Sequence, residues 1–472
     1  MGRVTQILIA NRGEIAVRVI RACRELGMPS VAVFSEADAR SPHVLLADRA
    51  VLIGPPSPAE SYLSIPAILK AARETGADAI HPGYGFLSEN PAFASACVEA
   101  GITFIGPPAA VIERLGSKIA ARAIAEKAGV PVVPGETPEE QSNGAIGAAA
   151  RKVGFPVLLK PSAGGGGIGM KTLRDERGLT AQIDQARREA VAAFGDGTLY
   201  VERLIEKPRH IEMQVLADDH GNVVHLFERE CSIQRRHQKV VEETPSTALT
   251  PTLRQRMGDA AVALARAVEY RNAGTVEFLL EGTGDDASFY FLEVNTRLQV
   301  EHGVTEMVTG IDLVEWMLRV AAGEPPDLAQ YQHAPRGHAI QARIYAEDPV
   351  PGIRIDSGVT EGGEISVHYD PLVAKLIADG PTREVARRRA IEALRSYPIL
   401  GIRTNVAFLI ELLEHPRFVA GDIDTRFLDV DGESLRRIAA VPEDASEVAA
   451  SMRTPVSSGN TDPWDSLRGF RG

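Results

Sequence analysis

Short apolar runs and helical patterns take turns over the first quarter of the chain. Residues 6–10, 31–34, 79–81 and 103–105 have the length and composition of buried strands. Between them lie helical patterns that close near Leu26 and cover 65–74 and 91–100. Strand and helix in alternation predict a doubly wound parallel sheet. The turn-rich loop His81-Pro82-Gly83-Tyr84-Gly85-Phe86 follows one of these strands, where open sheets place ligands; a rigid interdomain loop explains it equally well. Beyond residue 115 the pattern changes. A helix between 115 and 134 carries Lys118, and the apolar run Phe-Pro-Val-Leu-Leu-Lys-Pro then enters and leaves a glycine-rich tip as a hairpin. Strands follow over 198–204 and from His210, then helices over 252–271 and 312–322, a strand after Gly337 and an amphipathic helix over 383–396. Beyond 441 the chain turns polar.

The most informative stretch runs from Glu277 to His302. Apolar, aromatic-containing runs at 275–280 and 288–294 flank a Gly/Asp turn, which predicts a hairpin with a long loop. Such a hairpin returns Glu293 to Glu277. Two carboxylates brought together are costly without a cation, and hard oxygen ligands suit Mg²⁺ holding nucleotide phosphates. After the hairpin, Glu293, Asn295, Arg297, Gln299 and Glu301 alternate with Val294, Thr296, Leu298 and Val300. In extended chain the polar set shares one face, but at ~3.3 Å per residue a straight strand spreads it too far for one site. A bend near Arg297 is therefore expected. Alternation alone also fits the solvated face of an edge strand; the apolar flanks argue against that, because a buried Glu needs a partner.

Composition narrows the field. With 472 residues, 44% hydrophobic and 24% charged, the chain can build large cores, and ~100–200 residues per domain suggests several domains. A net charge of −12 argues against a general nucleic-acid binder. Cys23, Cys97 and Cys231 are far apart and odd in number, which points to reduced thiols and away from a disulfide framework or a zinc site. Cys231 has no activating pattern and suits packing. No apolar run approaches a membrane span or a signal peptide, so a soluble, cytoplasmic protein is expected. The glycines before Ile168 let backbone N–H groups crowd a phosphate, although the Walker pattern is absent. Residues 228–245 are dense in charge, and such a run is usually a solvated face.

Glu-Val-Asn-Thr-Arg-Leu-Gln-Val-Glu-His, at 293–302, is similar to the signature of the biotin carboxylases of the ATP-grasp superfamily. The resemblance extends from Ile-Leu-Ile-Ala-Asn-Arg-Gly-Glu near the start to Val-His-Tyr-Asp-Pro-Leu-Val-Ala-Lys-Leu and Gly-Ile-Arg-Thr-Asn-Val-Ala-Phe-Leu near the end. It implies an α/β plus α+β architecture: an N-terminal doubly wound parallel-sheet domain (1–114), an ATP-grasp domain (115–332) with a glycine-rich lid at about 133–204, and a mixed α/β C-terminal domain (333–442). Residues 443–472 form a polar tail or linker.

The implied reaction is ATP-dependent carboxylation of biotin on a carrier protein with bicarbonate, through carboxyphosphate, as the first half-reaction of an acyl-CoA carboxylase. Implied cofactors are ATP, Mg²⁺ (or Mn²⁺) and biotin. Implied partners are a biotin carboxyl carrier protein or domain, a carboxyltransferase subunit and a second copy of the chain or a larger complex, with no nucleic acid and no membrane. In this resemblance Lys118, Lys160, Gly166, Gly167 and Met170 meet the nucleotide phosphates or lie in the lid. Glu202, Arg203, Leu204 and Ile205 form the adenine segment; His210, Gln234 and His237 are further nucleotide ligands. Glu277, Glu293 and Asn295 hold the metal, Lys239, Arg297, Gln299 and Val300 cradle bicarbonate, Glu301 is the base and Arg343 faces the biotin enolate.

Two departures stand out. Ile168 occupies a place where the family usually has Arg or Lys. After Pro349 the chain runs almost directly into Val350-Pro351-Gly352-Ile353-Arg354, which implies a missing piece of sheet beside Arg343 and a weakened biotin side of the site. The alternative functions are another ATP-grasp ligase forming an acylphosphate, of the carbamoyl-phosphate or purine-pathway type, or a nucleotide-binding scaffold with impaired turnover.

Overall fold

Strands Ile7–Ile9 (β1), Ser30–Ser35 (β2), Arg49–Gly54 (β3), Ala79–His81 (β4) and Thr103–Phe104 (β5) pair in parallel in the order β3-β2-β1-β4-β5. The computed structural model describes residues 4–162, 169–235, 238–324, 335–344, 353–358, 368–370, 372, 374–396 and 404–435. Both faces of this first sheet are covered, which explains the continuous apolar character of β1. Ile7 and Ile9 pack on helix Gly13–Glu25 (α1). Leu8, on the opposite face, packs in a core with residues of Ile65–Thr75 (α3) and Pro91–Glu99 (α4). The short helix Pro42–Leu46 (α2) precedes β3. The apolar pattern did not reveal β3, an edge strand of which half the residues are exposed.

Ala109–Gly116 (α5) and Lys118–Lys127 (α6) carry the chain toward a small four-stranded sheet. Its strands are Gly135–Glu136 (β6), Val157–Pro161 (β7), Lys171–Leu173 (β8) and Leu199–Arg203 (β9), in the order β6-β9-β7-β8. Asn143–Val153 (α7) and Leu179–Phe194 (α8) give it a core of its own around Ile146, Leu159, Ile183 and Val201. β7 and β8 pair antiparallel across the glycine-rich stretch, as the hairpin pattern predicts. Gly166, Gly167 and Ile168 lie outside the described residues.

Among the described residues the third sheet has eight strands: Arg209–Ala217 (β10), Val223–Arg235 (β11), Gln238–Thr244 (β12), Asn272–Glu281 (β13), Ser288–Asn295 (β14), His338–Ile344 (β15), Ile353–Ser357 (β16) and Ala374–Gly380 (β17). They run β14-β13-β10-β11-β12-β15-β17-β16. β12 pairs antiparallel with β15, so the sheet continues without a break from the central part of the chain into its last part. Helix Pro251–Ala267 (α9) packs on β10 and β11 and α6 on β14; Arg383–Arg395 (α12) covers β15 and β17, with Val406–Glu414 (α13) packed on α12. His302–Thr309 (α10) and Leu313–Ala321 (α11) follow the 277–302 stretch, and α11 joins the core beside α1.

The charge-dense run at 228–245 departs from the solvated face that such runs usually form. β11 and β12 are interior strands of the large sheet, and Glu228, Arg229, Glu230, Glu242 and Glu243 are all buried. A charge can be buried there because each meets an opposite charge from another element, which the local pattern does not contain. The expected shortening after Pro349 and the polar tail at 443–472 lie outside the described residues. Among the described residues β16, which follows the expected shortening, is the terminal strand of the sheet, while β15 is flanked on both sides by β12 and β17. No helix among the described residues is long and apolar enough to cross a membrane.

Candidate active site

The hairpin β13–β14 sets Glu277 directly across from Glu293. β14 stops at Asn295 and the chain bends at Arg297 before α10 starts at His302, as the alternation required. The bend folds the polar residues into one cluster. The Glu277 carboxylate accepts from Lys239 Nζ at 2.8 Å, Asn295 Nδ2 at 2.9 Å and Gln299 Nε2 at 3.1 Å, and His210 Nε2 lies 3.0 Å away. Burial alone would raise its pKa; Lys239 and His210 outweigh that and hold it well below the usual range.

Lys239 is the hub. Its three donors meet three carboxylates: Glu212 at 2.6 Å, Glu301 at 2.7 Å and Glu277 at 2.8 Å. Burial would lower the lysine pKa, but these acids raise it well above normal. Glu301, fully buried, is also 3.2 Å from Arg343 Nη2, and Arg343 Nε donates to Glu242 at 2.5 Å. Lys239, Arg343 and Arg229 overcome the burial cost and keep the Glu301 pKa depressed, so it is ionised at neutral pH. Arg297 donates to Gln299 Oε1 and Asn295 Oδ1, each at 2.9 Å, and to Glu89 at 2.8 Å. Glu89 also accepts the Thr296 N–H at 3.0 Å.

The side expected to meet a nucleotide is built from the small sheet and α6. Lys118 opens α6, capped by Ser117, and its ammonium is 3.8 Å from Glu293. Burial and the nearby Lys160 lower its pKa against the pull of Glu293. Lys160 is held by Glu202 at 2.9 Å, and Arg122 takes the other Glu202 oxygen at 3.0 Å. Arg203 points elsewhere, pairing with Glu281 at 2.7 Å, and its N–H goes to the Pro134 carbonyl. The Leu204 N–H is likewise taken, by Pro156; Ile205 is buried and Met170 lies half-buried just before β8. Gln234 donates to the Cys231 carbonyl at 2.9 Å and touches His210 Nδ1 at 2.7 Å, linking His210 to the Glu277 cluster. His237 lies outside the described residues. Buried Cys231 has its pKa pushed well up by burial and Glu212, which suits packing over nucleophilic chemistry.

The donor set suits a divalent cation. Glu293 has its pKa raised by burial and by the charge of Glu277 opposite it, against Lys118. Like-charged oxygens facing each other beside Asn295 are what a hard cation stabilises. Glu277, Glu293 and Asn295 are the residues that would hold it, and its chemistry would be to neutralise phosphate charge.

Several participants escaped the sequence reading. Glu212 had a signal: His210, Glu212 and Gln214 alternate along β10 and share its polar face. Fully buried Arg229 donates to Glu212, Gln214, Thr275 and Thr305, and Glu242 anchors Arg343. Both sit in the charged run. Glu89 reaches the bend from the first sheet's loops and had no local signal.

A β-hairpin bearing two carboxylates, two lysines aimed at the same space and a glycine-tipped lid sheet define an ATP-grasp ligase. Three family descriptions match in order: biotin carboxylase N-terminal domain over 3–112, carbamoyl-phosphate synthase L chain ATP-binding domain over 117–329, and biotin carboxylase C-terminal domain over 343–430. The biotin carboxylase of Halalkalibacterium halodurans is 52% identical over 90% of this chain and 97% of its own. The mitochondrial methylcrotonoyl-CoA carboxylase subunit alpha of Dictyostelium discoideum is 48% identical over 99% of this chain and 70% of its own. Among solved structures, the biotin carboxylase domain dimer of Hydrogenobacter thermophilus 2-oxoglutarate carboxylase, with MgADP, ADP and bicarbonate, superposes with TM-score 0.87 at 44% identity, covering 93% of this chain and 100% of that one. The chain belongs to the biotin carboxylase family.

Proposed function

We propose that this chain carboxylates biotin on a carrier protein, using ATP and bicarbonate, and that its product serves a carboxyltransferase subunit. The observation that carries the reading is the position of Glu301. Its ionised carboxylate is held by Lys239 at 2.7 Å and Arg343 at 3.2 Å, within the cluster that holds Glu277. An ionised carboxylate is the form that can take a proton from bicarbonate, and the two cations fix its direction. Lys239, Arg297, Gln299 and Val300 surround the place a small anion would take, with Arg297 preset by Glu89. Lys118 and Lys160 hold positive charge on the phosphate side, and His210 and Gln234 line the nucleotide side of Glu277. Arg343, anchored by Glu242, is the fixed cation for charge developing on the biotin ureido oxygen.

The domain division at 114/115, 332/333 and 442/443, with a lid at about 133–204, goes with this reading. It is supported by the spans of the family matches and by the separate core of the small sheet. A homodimer or larger assembly and a cytoplasmic location complete the proposal; the free cysteines Cys23, Cys97 and Cys231 support the location. The test is ATP cleavage measured with and without bicarbonate and free biotin. Cleavage that requires bicarbonate and rises with biotin is expected. Cleavage indifferent to both would point to a different acylphosphate-forming ligase, and nucleotide binding without cleavage to a scaffold.

A further inference from the structure

Lys375 of β17 stands directly opposite Arg343 of β15 in the antiparallel register. Directly opposed residues leave a sheet on the same face. The two cations reach consecutive residues of the bend: Arg343 the Glu301 carboxylate at 3.2 Å, Lys375 the Val300 carbonyl at 2.8 Å. The Lys375 side chain is 0% exposed, and Glu14, in the first turn of α1, lies 3.3 Å from its ammonium. Tyr84, from the loop after β4, donates to Glu14. Gly358, just past β16, packs so closely on α1 that a Cβ there would come within 2.4 Å of the Glu14 nitrogen, which keeps this corner tight.

The Val300 carbonyl and the Glu301 N–H belong to one planar peptide unit. Pinning the oxygen therefore orients the backbone from which Glu301 departs. We propose that Lys375 is a positioning residue for bicarbonate activation. It fixes the Val300–Glu301 peptide plane, with Glu14 neutralising its charge, so that Glu301 meets the anion in a productive direction. The proposal rests on the biotin carboxylase reading of the site.

Removing Lys375 alone takes a cation from beside the buried Glu14 carboxylate, which is destabilising. The test is therefore the double variant Lys375→Met/Glu14→Gln, beside Lys375→Gln/Glu14→Gln, which keeps a neutral donor for the carbonyl. Relative to the parent, the Met double variant is expected to raise the KM for bicarbonate and lower kcat, each about tenfold, because small misplacements of a catalytic group are costly. The KM for ATP should stay within about twofold, since the contacts removed are not on the phosphate side. The Gln double variant should recover part of the loss. Hydrogen exchange at the 300–302 amides, which needs no turnover, should accelerate in the Met variant. Unchanged bicarbonate kinetics, unchanged exchange, or equal losses for ATP and bicarbonate would each overturn the proposal. If the Met variant does not fold, the Gln variant decides: a smaller rise in the KM for bicarbonate with faster 300–302 exchange and an unchanged KM for ATP supports the proposal, and parent-like kinetics and exchange overturn it. A parent without bicarbonate-dependent cleavage would overturn the functional reading instead, leaving exchange to judge Lys375.

Discussion

Glu301 and Lys239 show how a residue's role depends on charge balance. An ammonium has three donors, and Lys239 meets a carboxylate with each. Four acids, Glu212, Glu242, Glu277 and Glu301, converge on Lys239, Arg229 and Arg343 in a buried space, and removing any one leaves the others mismatched. Glu301→Gln keeps the shape and a hydrogen-bonding head but cannot take a proton. It is expected to lower bicarbonate-dependent ATP cleavage by ~10²–10⁴-fold. Nucleotide affinity, measured by titration calorimetry, should stay close to the parent's, because Lys118, Lys160 and the Glu277–Glu293 pair are untouched. Turnover equal to the parent's would remove Glu301 from the chemistry.

At the scale of elements, the loop after β4 does more than join two parts of the chain. Gly83 has φ +65, and a Cβ there would meet the Asn11 side chain at 2.8 Å, so only glycine fits this turn comfortably. Phe86 holds φ +43, an uncommon conformation for a bulky residue, and its ring stacks on Tyr62 at 5.0 Å between centroids. Tyr369, from the last part of the chain, packs edge-on against both rings, and its hydroxyl donates to the Pro56 carbonyl and hydrogen-bonds with the Ser35 hydroxyl. This aromatic contact anchors the loop whose Glu89 grips Arg297 and the Thr296 N–H. Glu89→Ala should raise the KM for bicarbonate by about tenfold, the scale of a lost charge-assisted hydrogen bond. The KM for ATP should change little. A steady-state comparison of the two substrates checks this; an effect on ATP alone would contradict it.

For the whole molecule, the decisive feature is the β12–β15 pairing that carries one sheet through both later parts of the chain. Glu243 of β12 sits at this junction, 2.7 Å from His338 of β15 and 2.6 Å from Arg383 of α12. Burial would raise its pKa; the hydrogen bond from His338 and the charge of Arg383 bring it down to about 2. A carboxylate depressed in the folded state contributes stability that is fully present above its unfolded value. That contribution is lost as pH falls through the folded value. From the ordinary value of 4.5 to about 2, the linkage is on the order of 3 kcal/mol, lost progressively between those two pH values. Glu243→Gln should therefore destabilise the protein near neutral pH and flatten the acid limb of a denaturation series. An acid limb as steep as the parent's would show that Glu243 does not carry it.

The pattern along the chain determined most of the elements and the hairpin at the centre of the site. Apolar runs separated by helical periods set out the parallel sheet, and the 275–294 hairpin brought Glu277 to Glu293 because strand pairing follows from local alternation and a turn. The need for a bend at Arg297 followed from strand geometry alone. What pattern could not supply was the partner of each buried charge. The run at 228–245 reads as solvated because its neutralising groups, Arg209, Arg254, His338, Arg343 and Arg383, lie elsewhere in the sequence. Glu89, from a loop of the first sheet, and Lys375, from the third sheet with Glu14 of α1 beside it, meet the bend only once those layers pack. Local periodicity is a short-range property of the backbone; burial and pairing of charge depend on distant segments meeting in space, and here only the tertiary fold decided them.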